Sequence, residues 1–343
     1  MQFVHTSCEG TSSSTQSDRL GPSIELEDIV QFAREYDPQP MHVDPEAAKG
    51  SLVGGLIASG LHTSSLAARL IADSLPLGST PVAIQNVDMV KWVRPVRAGD
   101  RLQLRQTILQ SRKSQTSNAE IVQYKFDVLN GQDEEVMNQT AWIAFGPRAD
   151  DLQQYMERGG DALAGSREEA DGSSQRDQGS RHLDRGYFDE VVVGESAILG
   201  HHQFSAEEIE RFTRTYDSLS CHWQHDESLL SQHSDSRIAP GWLVTSVWMK
   251  LYVTERNKTV HATASECGHK PRYGLSPGIW DMKWLAPVYA GDVLTYSARV
   301  SKTRLVNSKP GWGLVFYEND AVNQRGERVF ECKTAIFWEC RPT

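Results

Sequence analysis

The pattern of apolar and polar positions predicts the same order of elements twice along the chain. Near the start, Leu26, Ile29 and Ala33 recur at the spacing of one face of a helix. In the second half, residues 206–215 repeat this pattern after Ser205, which forms a capping box with the glutamate three residues further on. An amphipathic helix is therefore predicted near the start of each half.

A second helix in each half is apolar around most of its circumference. The first begins at Gly60 and the second spans residues 242–253, directly after Ala239-Pro240-Gly241. A helix with this pattern is buried on nearly all sides.

Strand-like runs of β-branched, leucine and aromatic residues follow both buried helices, separated by segments that carry Gly, Asn, Asp and Ser. These runs occupy residues 102–109, 120–130, 136–145, 293–303, 311–322 and 328–339. The sequence predicts an α+β fold in which an antiparallel sheet wraps one central helix in each half.

Two blocks of related sequence indicate that the halves are copies of one domain. Residues 91–100 (KWVRPVRAGD) match residues 283–292 (KWLAPVYAGD) at seven of ten positions, with an offset of 192. The motif FAREYD at 32–37 matches FTRTYD at 212–217, with an offset of 180. A net insertion of twelve residues thus separates the blocks of the second copy, and we place most of it within residues 254–275.

The segment between the copies is predicted to be a flexible linker. Between residues 159 and 182 the only large apolar side chain is Leu163, which cannot offset the entropy of ordering the segment. We predict an N-terminal domain at residues 1–148, a linker at 149–185 and a C-terminal domain at 186–343.

Composition narrows the class of protein. The 343 residues are 39% hydrophobic and 23% charged, which fits two globular domains. A net charge of −10 without a basic block argues against a nucleic-acid partner. Five scattered cysteines without a CxxC pair predict a reducing compartment and no metal site. Since no signal-peptide or membrane-span pattern is evident, we expect a cytoplasmic protein without a membrane partner.

Three motifs of the first copy resemble the MaoC-like acyl dehydratases, which are relatives of the (R)-specific enoyl-CoA hydratases. They are YDPQPMHVDPEAA at 36–48, GGLIASGLHT at 54–63 and RPVRAGD at 94–100. The residues that match the family motif position for position are Asp37, Pro40, His42 and Asp44. Gln39 stands where that family often has asparagine.

The resemblance implies a tandem, or double, hot-dog fold and an acyl-CoA thioester substrate. It also implies reversible hydration of a trans-2-enoyl thioester to a (3R)-3-hydroxyacyl thioester, which is the activity of a hydro-lyase without a cofactor. The two halves would pair as an intramolecular pseudo-dimer, and a homo-oligomer stays open. A hot-dog acyl-CoA thioesterase and a non-catalytic acyl-thioester-binding protein are the alternatives.

Hydration requires groups that transfer protons and a donor for the thioester oxygen. Asp37 and His42, on what we interpret as a rigid non-helical loop, are the predicted catalytic pair, and which of them is the base stays open. Gly60 is the predicted oxyanion site because a helix N-terminus favours negative charge and glycine admits a close approach. The alternative is that Gly60 only shapes the loop.

Neighbouring residues have structural interpretations. Asp44 is predicted to cap a helix, and the repeated KW motif is predicted to form a turn that contributes Trp92 and Trp284 to the core. Three basic residues are interpreted as solvated surface charges rather than ligands of CoA phosphates: Arg94, Arg97 and Arg101.

The second copy keeps an aspartate and a histidine at the same spacing, Asp217 and His222, but lacks both prolines of the loop. Pro240-Gly241 also replaces Ser59-Gly60. We therefore predict a degenerate second site whose volume accommodates a long or bulky acyl tail.

Overall fold

The computed structural model describes residues 14–16, 20–51, 53–74, 82–115, 117–146, 186–217, 237–267 and 271–342. The helices of the first half are α1 (Leu26–Tyr36), α2 (Pro40–Val43), α3 (Pro45–Lys49) and α4 (Gly60–Ser74). Those of the second half are α5 (Ala206–Tyr216) and α6 (Gly241–Cys267), preceded by a 3₁₀ turn at Phe188–Glu190. The predicted linker at 149–185 lies outside the described residues.

In the described part of the chain, ten strands form one continuous antiparallel sheet in the order β1-β3-β4-β5-β2-β7-β10-β9-β8-β6. The strands of the first half are β1 (Ser14–Gln16), β2 (Val82–Trp92), β3 (Gln103–Lys113), β4 (Glu120–Leu129) and β5 (Glu135–Phe145). Those of the second half are β6 (Ser196–Gln203), β7 (Gly278–Trp284), β8 (Val293–Leu305), β9 (Trp312–Val322) and β10 (Arg328–Glu339). The halves thus merge edge to edge, with α4 and α6 in contact over the sheet, as predicted for paired hot dogs.

The two halves join in the sheet through β2 and β7. Four apolar residues of this junction are buried: Val87, Val90, Ile279 and Met282. At Gly278, a Cβ atom would overlap with the carbonyl oxygen of Val90. Only glycine permits this close approach of the two strands.

The repeated FxRxYD motif joins the halves on the helical side. Tyr36 of α1 meets Phe212 of α5 edge-to-face at a centroid distance of 5.8 Å, and Phe32 meets Tyr216 in the same way at 5.6 Å. Edge-to-face pairs are a favoured arrangement of aromatic rings. Burial raises the pKa of both tyrosines, so both hydroxyl groups stay neutral. Two copies of one motif therefore build a single aromatic cluster with approximate twofold symmetry.

The repeated tryptophans hold the start of each central helix against the sheet. The Trp92 indole lies against Gly60, and its Nε1 donates to the Ser64 hydroxyl at 3.3 Å. Trp284 lies against Gly241 in the same way and donates to Thr245 at 3.2 Å. The structural interpretation of the KW repeat is therefore confirmed.

The twelve inserted residues of the second copy lengthen its central helix. Helix α6 has 27 residues and α4 has 15. The start of the predicted insertion, at residue 254, therefore lies inside the helix, and Arg256 in this segment is buried.

Sequence reasoning missed four strands: β1, β2, β6 and β7. β2 lies at the centre of the sheet, and its pairing with β5 shifts register at two points, between Ile84 and Asn86 and between Val87 and Met89. Each such irregularity interrupts the simple alternation of apolar and polar residues by which a strand is identified.

We expect Gly60→Ala to lower the free energy of unfolding by about 1–3 kcal/mol, the usual cost of overpacking. The new Cβ would lie 2.5 Å from the Trp92 indole, which must shift. Gly131→Ala is the matched control because nothing lies within 4 Å of its Cβ position. Urea unfolding of the variants measures the difference, and equal stability of Gly60→Ala and Gly131→Ala would contradict the packing account.

Candidate active site

Asp37 ends helix α1 with its carboxylate fully inside the protein. Its backbone amide donates to the carbonyl oxygen of Ala33 at 2.8 Å, and only 2% of the residue is exposed. Ser59 Oγ donates to Oδ2 at 2.5 Å, and Gln39 Nε2 donates to Oδ1 at 2.8 Å. Because both carboxylate oxygens accept a hydrogen bond, the orientation of the carboxylate is fixed.

His42 lies on the four-residue helix α2, so the prediction of a non-helical loop was wrong. Pro40 occupies the first turn of α2, where its missing amide is tolerated. His42 Nδ1 lies 2.9 Å from the carbonyl oxygen of Ile57. A carbonyl can only accept, so Nδ1 carries the proton of the neutral ring and Nε2 presents a lone pair. Nε2 lies 3.6 Å from Asp37 Oδ2.

Asp37 and His42 line a cavity of about 280 Å³ that both halves of the chain enclose. The first half contributes Ser59 and Gly60 beside the Asp37–His42 pair. The second half contributes residues of helix α6 and of the segment before β7: Met249, Arg256, Gly274, Leu275, Ser276 and Pro277. The candidate site therefore depends on the pairing of the two copies.

Gly60 begins helix α4 at the wall of this cavity. Ser59 satisfies the next amides of the helix, since its Oγ accepts from Leu61 N at 3.2 Å and its carbonyl accepts from Thr63 N at 3.0 Å. The first amides of a helix have no acceptor within it, and Gly60 is both the first residue of α4 and a lining residue of the cavity. Packing also requires glycine at this position, because a Cβ atom would overlap with the Trp92 ring.

The other residues of the motifs have structural roles. Asp44 accepts from Glu46 N at 2.9 Å and from Ala47 N at 3.1 Å, which confirms the predicted cap of α3. Arg97 donates to the carbonyls of Val53 and Leu56. The remaining two arginines of the group bind carbonyl oxygens of Glu135 (Arg94) and Gly21 (Arg101). Arg94 and Arg101 are exposed, as expected for surface charges, whereas Arg97 is half-buried.

Sequence reasoning did not single out Gln39 and Arg256 as a pair. Arg256 Nη2 donates to Gln39 Oε1 at 2.8 Å, and Gln39 in turn donates to Asp37. Arg256 is 5% exposed. It follows Met249 and Tyr252 at helical spacing on the buried face of α6. A charged residue on an otherwise apolar helix face is the feature of the sequence that could have identified Arg256.

The second copy does not reproduce this arrangement at the residues that the structure describes. Asp217 is buried at the end of α5, but it does not line the cavity. The counterpart of Ser59 is Pro240, which has no side-chain donor for the aspartate. His222 lies outside the described residues, so the degenerate second site stays a prediction.

His62 is a buried histidine close to the candidate active site. The sequence analysis assigned it no role. Its ring stacks on Phe32 at a centroid distance of 4.6 Å and meets Tyr216 edge-on. Burial, together with the nearby His42, lowers the pKa of His62 to about 3. The ring is therefore neutral at neutral pH and belongs to the aromatic cluster.

Comparison with known proteins relates each half to dehydratases. Residues 10–128 match the family described as MaoC like domain, and residues 192–332 match the FAS1-like, dehydratase domain region. The uncharacterized protein YdeM of Bacillus subtilis is 34% identical over 79 residues. That match covers 23% of this chain and 56% of YdeM, so it spans little more than half of this relative.

Solved structures extend the similarity over the whole chain. A putative MaoC domain protein dehydratase from Chloroflexus aurantiacus has a TM-score of 0.71 at 13% identity, covering 96% of both chains. A conserved hypothetical protein of Mycobacterium tuberculosis with a double hotdogfold has a TM-score of 0.59 at 14% identity, covering 95% of this chain and 96% of that one. The MaoC-like dehydratase from Rhodospirillum rubrum is 36% identical, covering 39% of this chain and 90% of that one, with a TM-score of 0.34.

The chain therefore combines a MaoC-like domain in its first half with a FAS1-like dehydratase region in its second half, and its fold is a double hot dog. Within the described residues, no helix is long and apolar enough to cross a membrane. The same part of the chain contains no group of three His, Cys, Asp or Glu side chains arranged for a metal ion.

The titration of His62 predicts how stability responds to acid. The unfolded chain takes up a proton below the ordinary pKa of 6.5, whereas folded His62 stays neutral until about pH 3. The contribution of neutral His62 to the free energy of unfolding is thus fully present above pH 6.5 and declines as the pH falls towards 3. When the pH falls from 7 to 5, His62 should lower the free energy of unfolding by roughly 2 kcal/mol.

His62→Gln should therefore lose less stability than the wild type between pH 7 and pH 5 in urea unfolding measurements. His201→Gln, at an exposed histidine that bonds to Thr295, is the control and should follow the wild type. If the free energy of unfolding of His62→Gln depends on pH as it does in the wild type, the lowered pKa of His62 is contradicted.

Proposed function

We propose that the chain hydrates trans-2-enoyl thioesters reversibly to (3R)-3-hydroxyacyl thioesters, with CoA as the carrier. The observation that carries this proposal is the buried Asp37–His42 pair facing a cavity at the start of a helix. The match of the first half to the MaoC like domain and of the second half to the FAS1-like dehydratase region supports the same reaction class. The reaction is redox-neutral, so it needs no cofactor besides the CoA of the substrate.

The geometry of the pair suits activation of one water molecule. At 3.6 Å, the His42 Nε2 and Asp37 Oδ2 atoms are too far apart for a direct hydrogen bond. Both atoms are acceptors in the neutral-histidine state, and a water molecule has two protons to donate. In the proposed reaction the water oxygen bonds to C3 of the enoyl group while one of its protons passes to the pair. The pair then delivers that proton to C2, which restores its starting state and balances the addition of water.

The start of helix α4 completes the proposed reaction centre. As water adds to C3, negative charge develops on the thioester oxygen. The Gly60 amide and the positive end of the helix can stabilise this charge. The Trp92 contact holds the amide in place before the substrate arrives, so no reorganisation is required during the reaction.

We expect Asp37→Asn and His42→Ala each to lower kcat for hydration by about 10²–10⁴-fold, the usual contribution of a positioned acid or base. The assay follows the loss of the enoyl-thioester absorbance with trans-2-enoyl-CoA substrates, both neutral and carboxylated. Asp217→Asn is the matched control, since Asp217 does not line the cavity, and it should retain most of the activity. Circular dichroism verifies folding.

Product analysis separates the candidate activities. A (3R)-3-hydroxyacyl-CoA product, resolved by chiral chromatography, is the expected result. Release of free CoA from saturated acyl-CoA would instead identify a thioesterase. Tight binding without turnover of any enoyl thioester would identify a non-catalytic binding protein.

A further inference from the structure

Arg256 is a buried cation with no acidic partner among the residues that the structure describes. Its one hydrogen bond goes to the neutral side chain of Gln39. Its Nε is buried and has no acceptor. Arginine keeps its charge in proteins, so the cavity wall carries a positive charge, and the Asp37 carboxylate is linked to it only through Gln39.

A buried charge of this kind is costly unless it is paired. Two aromatic rings compensate in part, because the guanidinium lies 4.7 Å from the centroid of Tyr273 and 5.8 Å from that of Tyr252. These rings also restrict the orientation of the guanidinium. Arg256 also lines the cavity, so its guanidinium is placed to bind an anion there.

The position of Arg256 identifies which part of a thioester could supply that anion. Gln39 alone separates the guanidinium from Asp37, with hydrogen bonds of 2.8 Å on both sides. An anion at Arg256 therefore lies close to the reacting carbons. The phosphates of CoA are separated from the thioester by the whole pantetheine arm, so they cannot reach this point while C2 and C3 face Asp37. The acyl group is therefore the part of the substrate that could supply an anion at this point.

Arg256 is not a general feature of the duplicated domain. When the copies are aligned on Gly60 and Gly241, the position that corresponds to Arg256 in the first copy is Leu75. Arg256 lies near the start of the segment by which α6 exceeds α4. The extension thus adds a cation to the one cavity that contains the Asp37–His42 pair.

We propose that Arg256 binds a carboxylate of the acyl group, so that the substrates are enoyl thioesters of short dicarboxylic acids. This inference rests on the proposed hydration at Asp37 and His42. The carboxylate lies one or two carbons beyond C3 and pairs with the guanidinium. Charge-assisted hydrogen bonds of this type are about twice as strong as neutral ones.

Binding of two unreactive analogues tests the proposal without any turnover. Glutaryl-CoA and pentanoyl-CoA differ in that a terminal carboxylate replaces a methyl group. The wild type should bind glutaryl-CoA about 10–100-fold more tightly in isothermal titration, as expected for a charge-assisted hydrogen bond. Equal affinity of the wild type for both compounds would overturn the proposal.

Substitution of Arg256 tests whether this residue is the cause of the preference. Arg256→Met should abolish the affinity ratio, and Arg256→Lys should retain part of it because the charge remains. Arg304→Met, at an exposed arginine of β8, has the same change in net charge and should keep the full ratio. If Arg256→Met lowers kcat equally for all substrates but keeps the ratio, Arg256 only positions Gln39 and the proposal is wrong.

Turnover separates this proposal from the proposed function. Glutaconyl-CoA and trans-2-pentenoyl-CoA are the unsaturated counterparts of the two analogues. Preferred binding of glutaryl-CoA without hydration of either enoyl thioester would refute the hydratase function and support carboxylate recognition. Equal kcat/KM for both enoyl thioesters, together with equal analogue affinities, would refute carboxylate recognition and leave the hydratase function intact.

Discussion

Packing of the two copies against each other is the constraint on which the rest of the structure depends. The aromatic cluster of Phe32, Tyr36, Phe212 and Tyr216 joins the helices, while β2 and β7 join the sheet. A single hot dog would leave its half of the aromatic cluster and its edge of the β2–β7 junction exposed. Because α6 of one copy closes the cavity that begins at Asp37 of the other, this packing also creates the candidate active site.

Duplication within one chain allowed the two copies to diverge in different directions. The first copy has Ser59 and Gln39, whose side chains donate hydrogen bonds to its aspartate. The second copy has proline and leucine at these two positions. The second copy instead has the longer helix and contributes Arg256 to the shared cavity. In the proposed site, one copy carries the reacting groups and the other forms the opposite wall.

Local sequence was sufficient where the determining contacts are local. Asp37 and His42 lie five residues apart, and the order of helix-like and strand-like segments predicted the α+β fold. The pairing of the halves was implied by the family resemblance of the motifs. Sequence did not reveal that Arg256 reaches Gln39, because these residues are far apart in the chain and meet only through the packing of α6 on the first half. It likewise missed β2, whose irregular pairing interrupts the alternation of a strand, and the single-turn helix that carries His42.

The central claim is that two homologous copies form one working site. The most direct measurement is the binding stoichiometry of an enoyl-CoA on the Asp37→Asn variant, in which turnover is suppressed, by isothermal titration calorimetry at several protein concentrations. The account predicts one molecule bound per chain, and a further His42→Ala substitution should leave that number at one. Two equivalent molecules bound per chain would contradict it, because a second complete site would then exist around Asp217.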